Sequence, residues 1–126
     1  MLADMSTQLE AARLMIYSAA RSRGSNNSPF PDANAAAQAK LFASEMAIKV
    51  TNDALQLFGA KGYSRNSPLE RIVRDARMFT IGGGTAQILR TVIATRLLDR
   101  KFPQTRDGYT KVANSNVVDK PNLKAV

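Results

Sequence analysis

One long stretch, residues 33–58, most constrains the fold of this chain. Its apolar residues recur every three or four positions and therefore share one face of an α-helix. That face consists of Ala39, Phe42, Met46, Val50, Ala54 and Leu57. An alanine-rich run of high helix propensity opens the stretch, and Asp32 or Asn34 can cap it. The pattern predicts a helix longer than the ordinary globular one, which spans a whole helical bundle.

Three further helices are predicted beside this one. The first covers residues 2–21, the third covers 68–79, and the fourth starts near Thr85 and runs to about residue 101. The apolar faces of the three helices comprise Leu2, Met5, Leu9, Ala12, Ile16 and Ala19, then Leu69, Ile72, Val73, Ala76 and Phe79, and finally Leu89, Ile93 and Leu97.

The start signals and the breaks between helices complete the architecture. Ser67, Pro68 and Glu70 predict an N-cap, a first-turn proline and a capping box for the third helix. Gly59 and Gly62 are expected to end the second helix, where glycine tolerates the left-handed cap conformation. Residues 21–31 have the composition of a loop, and residues 103–126 form a polar tail. The prediction is an all-α, antiparallel up-and-down bundle over residues 1–102.

The composition limits the chemistry that the chain can perform. The 126 residues include no cysteine and no histidine, which excludes disulfides, thiol nucleophiles and a Ser-His-Asp triad, and we expect no metal site. A hydrophobic content of 44% is enough for a packed core. No apolar run approaches the ~20 residues that span a bilayer, and no signal peptide is visible, so a cytoplasmic or mitochondrial-matrix location is expected.

The net charge of +8 suggests anionic partners, or a domain whose acidic partner regions lie elsewhere. Nucleic acid is not the expected partner, because the basic residues are scattered and aromatic residues make up only 6%. The arginines of the third helix, Arg71, Arg74 and Arg77, are assigned first to helix ion pairs, namely Glu70–Arg74 and Arg71–Asp75. Subunit contacts or attraction of a ligand's phosphates are the alternatives.

Two glycine-bearing junctions are the candidate binding segments. The first is residues 56–63, and the second is residues 81–87 with three consecutive glycines. Glycines that enter a helix let the backbone approach a ligand, and the helix start offers N–H groups and a positive dipole to an anion. Thr85 can cap the helix and Gln87 can donate or accept a hydrogen bond. The same residues also suit a tight helix–helix turn without a ligand.

Four stretches in order resemble the C-terminal domain of the acyl-CoA dehydrogenase family. They are LADMSTQLEAARLMIYSAA, AKLFASEMA, ALQLFGAKGYSRNSPLERIVRDAR and IGGGTAQILR, and together they cover roughly residues 2–102. The resemblance implies the family's C-terminal bundle without its first helix, FAD as cofactor, and α,β-dehydrogenation of an acyl-CoA thioester. It also implies a homodimer or homotetramer, with an electron-transfer flavoprotein as electron acceptor. The fragment alone is expected to be inactive.

The resemblance also assigns site residues. Gln56, Gly59 and Ala60 match the segment that reaches the FAD of a neighbouring subunit, although the family usually has glycine where Ala60 stands. Thr85 and Gln87 match residues that touch FAD within the same subunit. Gly83 occupies the usual position of the catalytic glutamate, so the catalytic residue is unknown.

Two explanations remain open for Gly83. One is a branch of the family, including isovaleryl-CoA and long-chain enzymes, in which the glutamate comes from a helix before Leu2. The other is loss of dehydrogenase activity. The alternative to an enzyme is a non-enzymatic helical module whose open apolar face binds another protein.

Overall fold

A computed structural model describes residues 1–22 and 29–102 of the chain. Within these two ranges the structure has four α-helices and no strand: α1 is Leu2–Arg21, α2 is Ala33–Tyr63, α3 is Leu69–Met78 and α4 is Ala86–Leu97. The all-α prediction is therefore confirmed. The predicted polar tail and most of the predicted loop at 21–31 lie outside the described residues.

The long helix α2 is the centre of the arrangement. In the described part of the chain, α1, α3 and α4 each pack against α2, and none of these three packs against another. The Asp32 carboxylate accepts a hydrogen bond from the backbone N–H of Ala35 at 2.8 Å and thereby caps α2. Of the two cap candidates, Asp32 is the cap. The Asn34 Oδ1 atom is instead buried without a hydrogen-bond partner in the described structure.

The C-terminal part of α2 differs from the prediction of an end at Phe58. The helix breaks at Gly59, which has φ 55° and ψ −143°, and a further helical segment continues to Tyr63. Gly59 has the positive φ expected of it, although its ψ lies outside the left-handed helical region, and the same expectation for Gly62 is wrong. Gly62 is buried, and a Cβ atom there would lie 2.7 Å from the Phe58 Cβ. Close packing, and not a left-handed turn, accounts for this glycine.

The described core is built from small side chains. The buried residues are Ala12, Ala19, Ala37, Ala39, Ser44, Gly62, Ala76 and Ala86. None of the larger described side chains is fully buried. Several residues of the predicted apolar faces are exposed here, namely Leu2, Leu9, Ile16, Phe42, Leu57, Ile72, Phe79 and Leu97. The expectation that Ile72, Phe79 and Leu97 face inward is wrong for the chain by itself, because in the described structure α3 and α4 each pack against α2 alone.

Helices α3 and α4 are shorter than predicted. The Ser67 hydroxyl accepts a hydrogen bond from the Leu69 N–H at 3.3 Å, as a cap does, but the carboxylate of Glu70 pairs with Arg74 and forms no capping box. Helix α4 was expected to reach residue 101 and ends at Leu97. The helix ends because Asp99 has a left-handed φ of 44°, which cannot continue a right-handed helix.

Candidate functional site

The loop between α3 and α4, hereafter the glycine loop (residues 79–85), turns the chain sharply. The Gly82 N–H donates to the Met78 carbonyl at 2.8 Å, and the Ala86 N–H donates to the Thr80 carbonyl at 3.0 Å. Gly83 and Gly84 have φ values of 68° and 95°, in the region that side-chain-bearing residues avoid. The turn therefore depends on glycine at both positions.

Thr85 ends the glycine loop and begins α4. Its hydroxyl accepts a hydrogen bond from the Ile88 N–H at 3.2 Å, which confirms the predicted cap. In the described structure the N–H groups of Gly83, Gly84 and Gln87 donate to no protein acceptor. These open donors lie at the positive end of the α4 dipole, where an anionic or oxygen-rich ligand is favoured.

A cavity of about 380 Å³ lies beside Thr85 and Gln87, whereas Gly83 and Gly84 are not among its lining residues. Its lining contains Glu45 and Ile48 from α2, Arg77, Thr80 and Ile81 from α3 and the glycine loop, and Thr85, Ala86, Gln87 and Arg90 at the start of α4. The structure thus brings together Thr85 and Gln87, the two residues predicted to serve one site.

Glu45 is one of the cavity residues that sequence reasoning missed, together with its partner Arg90. It is the acidic side chain among the described residues that line this cavity, and its Oε1 atom lies 2.5 Å from Arg90 Nη2. The two positions are 45 residues apart in the chain, so no local pattern links them. The Glu45 carboxylate is engaged by the Arg90 guanidinium. Among the described residues that line this cavity, no carboxylate is therefore free of an ion pair.

The second predicted segment borders a different cavity, of about 480 Å³. Gln56 and Gly59 line it together with Asn52, Asp53, Leu55 and Tyr63, whereas Ala60 is exposed and is not part of the lining. A Cβ atom on Gly59 would meet nothing within 4 Å, so its conformation and not crowding requires glycine there. The Asp53 carboxylate accepts a hydrogen bond from Lys49 at 2.6 Å, which raises the pKa of Lys49.

The two cavities share no lining residue. Ile48 borders the first and Gln56 borders the second, and eight helical residues correspond to about 12 Å along α2. The structure therefore does not bring the Gln56–Ala60 segment and the Thr85–Gln87 pair into one site. That they contact different flavins in an oligomer stays a prediction.

The arginines of α3 have different surroundings. Arg74 Nε and Nη2 donate to the two Glu70 oxygens at 3.1 and 3.2 Å, which confirms that predicted pair. Arg71 and Asp75, both described, form no ion pair, so the second predicted pair is wrong. Arg77 lines the first cavity and adds positive charge beside the open N–H groups.

The described helices also test the prediction that no segment spans a membrane. None of the helices in residues 1–22 and 29–102 combines the length and the apolarity that crossing a bilayer requires.

Comparison with known proteins gives a family match over most of the chain. Residues 1–98 match the family model described as acyl-CoA dehydrogenase, C-terminal domain. A 3-sulfinopropanoyl-CoA desulfinase of Advenella mimigardefordensis is 66% identical over 116 residues, which is 92% of this chain and 28% of that protein. A desulfinase with the same name from Variovorax paradoxus is 65% identical over 90% of this chain and 27% of that protein.

Less similar proteins also match over most of this chain and over a small part of their own length. A probable acyl-CoA dehydrogenase of Mycobacterium tuberculosis, FadE25, is 50% identical over 78% of this chain and 25% of that protein. A solved structure described as an electron transferring flavoprotein of Acidaminococcus fermentans contains a chain with a TM-score of 0.70 and 45% identity. That match covers 76% of this chain and 24% of the other chain. The chain thus spans about a quarter of the length of the relatives that it matches.

Proposed function

Because the chain belongs to the acyl-CoA dehydrogenase C-terminal domain family, we propose that it is the C-terminal domain of an FAD-containing enzyme acting on acyl-CoA thioesters. Its own contribution is to complete flavin sites and to form the subunit interface of a homo-oligomer. The bacterial sources of the relatives favour the bacterial cytoplasm over a mitochondrial matrix.

The residues at the glycine loop fit a flavin nucleotide. The open N–H groups of Gly83, Gly84 and Gln87 and the positive end of α4 match the phosphate and carbonyl oxygens of such a ligand. Thr85 and Gln87 would hold the FAD of the same subunit from this side. Gln56 and Gly59 would contact the FAD of a neighbouring subunit from the second cavity, and Ala60 would do so from the exposed surface outside its lining.

For the reaction, we propose desulfination of a 3-sulfinopropanoyl-CoA-type substrate. The observation that carries this choice is Gly83, which places no proton acceptor where the resemblance expects a glutamate, in a chain 66% identical to a named desulfinase. Desulfination breaks the C3–S bond, and a proton takes the place of sulfur on C3. The sulfur leaves as sulfur dioxide, which water converts to hydrogensulfite. The overall reaction therefore transfers no electrons and removes no α-proton.

Dehydrogenation of an acyl-CoA is the second candidate, favoured by the 50% identity to FadE25. Bound FAD would supply the hydride acceptor, and an electron-transfer flavoprotein would accept the electrons. The α-proton would need a carboxylate within about 3 Å of Cα in the productive complex. Such a group would have to come from before Leu2, or from Glu45 after it leaves Arg90. Glu45→Gln tests the latter source, since it should abolish dehydrogenation that depends on Glu45 and leave desulfination intact.

A non-enzymatic interaction module is the alternative to both reactions. The exposed large apolar residues favour it, because an unpartnered apolar surface suits binding to another protein. The flavin content of the chain separates the two classes. On the enzyme proposal, the 126-residue chain alone binds FAD weakly or not at all, whereas the complete flavoprotein that contains it retains FAD through purification.

Product identity tests the proposed reaction. The complete flavoprotein is incubated with 3-sulfinopropanoyl-CoA without an electron acceptor, and the thioester and sulfite are quantified. We expect propanoyl-CoA and sulfite in equal amounts. Formation of a 2,3-unsaturated thioester only when an acceptor is supplied would instead support dehydrogenation.

A further inference from the structure

Lys40 of α2 makes two interactions with Phe79 of the glycine loop and lies close to Gly83. Its Nζ atom donates a hydrogen bond to the Phe79 carbonyl and lies 5.9 Å from the centroid of the Phe79 ring. Its Cε atom lies 3.8 Å from the position that a Cβ atom on Gly83 would occupy. A cation at this distance from a ring is attracted by it, and a charged donor strengthens a hydrogen bond to a carbonyl.

No other described side chain outside the α3–α4 segment hydrogen-bonds to residues 79–85. The remaining bonds of the glycine loop are local, such as Gly82 N–H to Met78 and Ala86 N–H to Thr80. In the described structure α3 and α4 do not pack against each other, so the loop is placed only through α2. Lys40 is the polar link between α2 and this loop.

The Phe79 carbonyl lies at the C-terminal end of α3, where backbone acceptors lack helical partners. A lysine ammonium at this end satisfies such an acceptor and opposes the negative end of the helix dipole. The ammonium is not part of an ion pair in the described structure, so its interaction with the loop is not shared with a carboxylate.

We propose that Lys40 is a positioning residue that fixes the conformation of the glycine loop and thereby the direction of its open N–H donors. The inference rests on the proposed function only where it concerns flavin, because Lys40 acts through Phe79 and Gly83. Removing the ammonium while keeping the length of the side chain should loosen the loop and leave α1 and the first half of α2 unchanged.

Amide hydrogen exchange of the 126-residue chain tests the proposal without any flavin. In Lys40→Met, exchange at Gly82 and Ala86 should accelerate about tenfold, as expected for loss of a hydrogen bond to a charged group. Amides of α1 should keep their wild-type rates. Lys40→Arg retains a cationic donor and should restore most of the protection at both amides.

Lys49→Met is the matched control, since it removes another lysine of α2 whose partner is Asp53 and not the loop. Loop exchange should be unchanged in this variant. Unchanged exchange at Gly82 and Ala86 in Lys40→Met would overturn the proposal, and so would an equal acceleration in α1. Failure of the complete flavoprotein to hold FAD would contradict the proposed function and leave this result intact.

Discussion

At the residue scale, Gly62 and Gly82 differ in how much room an added side chain would have. Gly62 is enclosed, because an added Cβ would lie 2.7 Å from the Phe58 Cβ and 3.3 Å from both Leu55 Cδ1 and Leu69 Cδ2. Gly82 would meet the flexible Met78 sulfur at 3.1 Å and has no left-handed φ. The same substitution should therefore have different consequences at the two positions.

We expect Gly62→Ala to lower the free energy of unfolding by about 1–3 kcal/mol through overpacking. Gly82→Ala should change it by less than about 0.5 kcal/mol, because the Met78 side chain can move aside. Urea denaturation of both variants measures the difference. Equal midpoints for the two variants would show that the close packing of Gly62 is not required.

The cap of α4 gives a second prediction at this scale. Thr85→Ala removes the acceptor of the Ile88 N–H and should destabilise the chain by about 1 kcal/mol, whereas Thr85→Ser should retain stability. Thr91→Ala in the same helix is the control, since the Thr91 hydroxyl bonds only to the preceding turn at Gln87. A lower melting temperature for Thr91→Ala than for Thr85→Ala would contradict the role of Thr85 as the cap of α4.

Roles that depend on neighbours along the chain could be predicted from the sequence, whereas roles that depend on a contact between residues far apart in the chain could not. The cap at Thr85 and the positive φ of Gly59 were predicted correctly, because both depend on neighbours within one turn. Glu45 and Lys40 were missed because their partners lie 45 and 39 residues away in the chain. Glu70 was assigned both to a capping box and to an ion pair with Arg74, and the structure shows the pair, because Arg74 offers a charged donor to both carboxylate oxygens.

At the element scale, the contact of α1 with α2 depends on alanine. Ala12 is 2% exposed, and the apolar pattern around it allowed the bounds of α1 to be predicted correctly. Which neighbouring residues face α2 was less predictable, since Met5 and Met15 are partly covered while Leu9 and Ile16 are exposed. Periodicity locates an apolar face, but the partner helix decides which part of a wide face is used.

Ala12→Leu should therefore push α1 away from α2 and cost about 1–3 kcal/mol of unfolding free energy. Ala20→Leu introduces the same side chain on the exposed surface of the same helix and should be close to neutral. Denaturant titration followed by circular dichroism compares the variants. Equal stability of the two would mean that α1 is not closely packed on α2.

At the scale of the whole molecule, the exposed apolar residues predict self-association. Leu2, Leu9 and Ile16 follow at intervals of seven, share one face of α1, and are all exposed. Burying this face in a contact is worth ~25 cal/mol per Å² of apolar area. We expect the chain to sediment as a dimer or larger species, and the double variant Leu9→Glu with Ile16→Glu to sediment as a smaller one.

Ser6→Glu with Ser18→Glu is the control for that experiment, because it adds the same charge to exposed polar positions of α1. This variant should sediment like the wild type. A wild-type chain that stays monomeric at high concentration would contradict the prediction. The bundle class was predictable from helical periodicity. Its open apolar face was expected from the resemblance, which implies a bundle without its first helix, because periodicity alone does not report which neighbours cover a face.

The reaction that we propose for the complete flavoprotein is desulfination of its thioester substrate without net electron transfer. The most direct measurement adds 3-sulfinopropanoyl-CoA to the flavin-loaded protein under anaerobic conditions without an acceptor and follows flavin absorbance and sulfite together. We predict sulfite release over many turnovers while the flavin returns to its oxidised spectrum. Persistent bleaching of the flavin with no sulfite would contradict the claim.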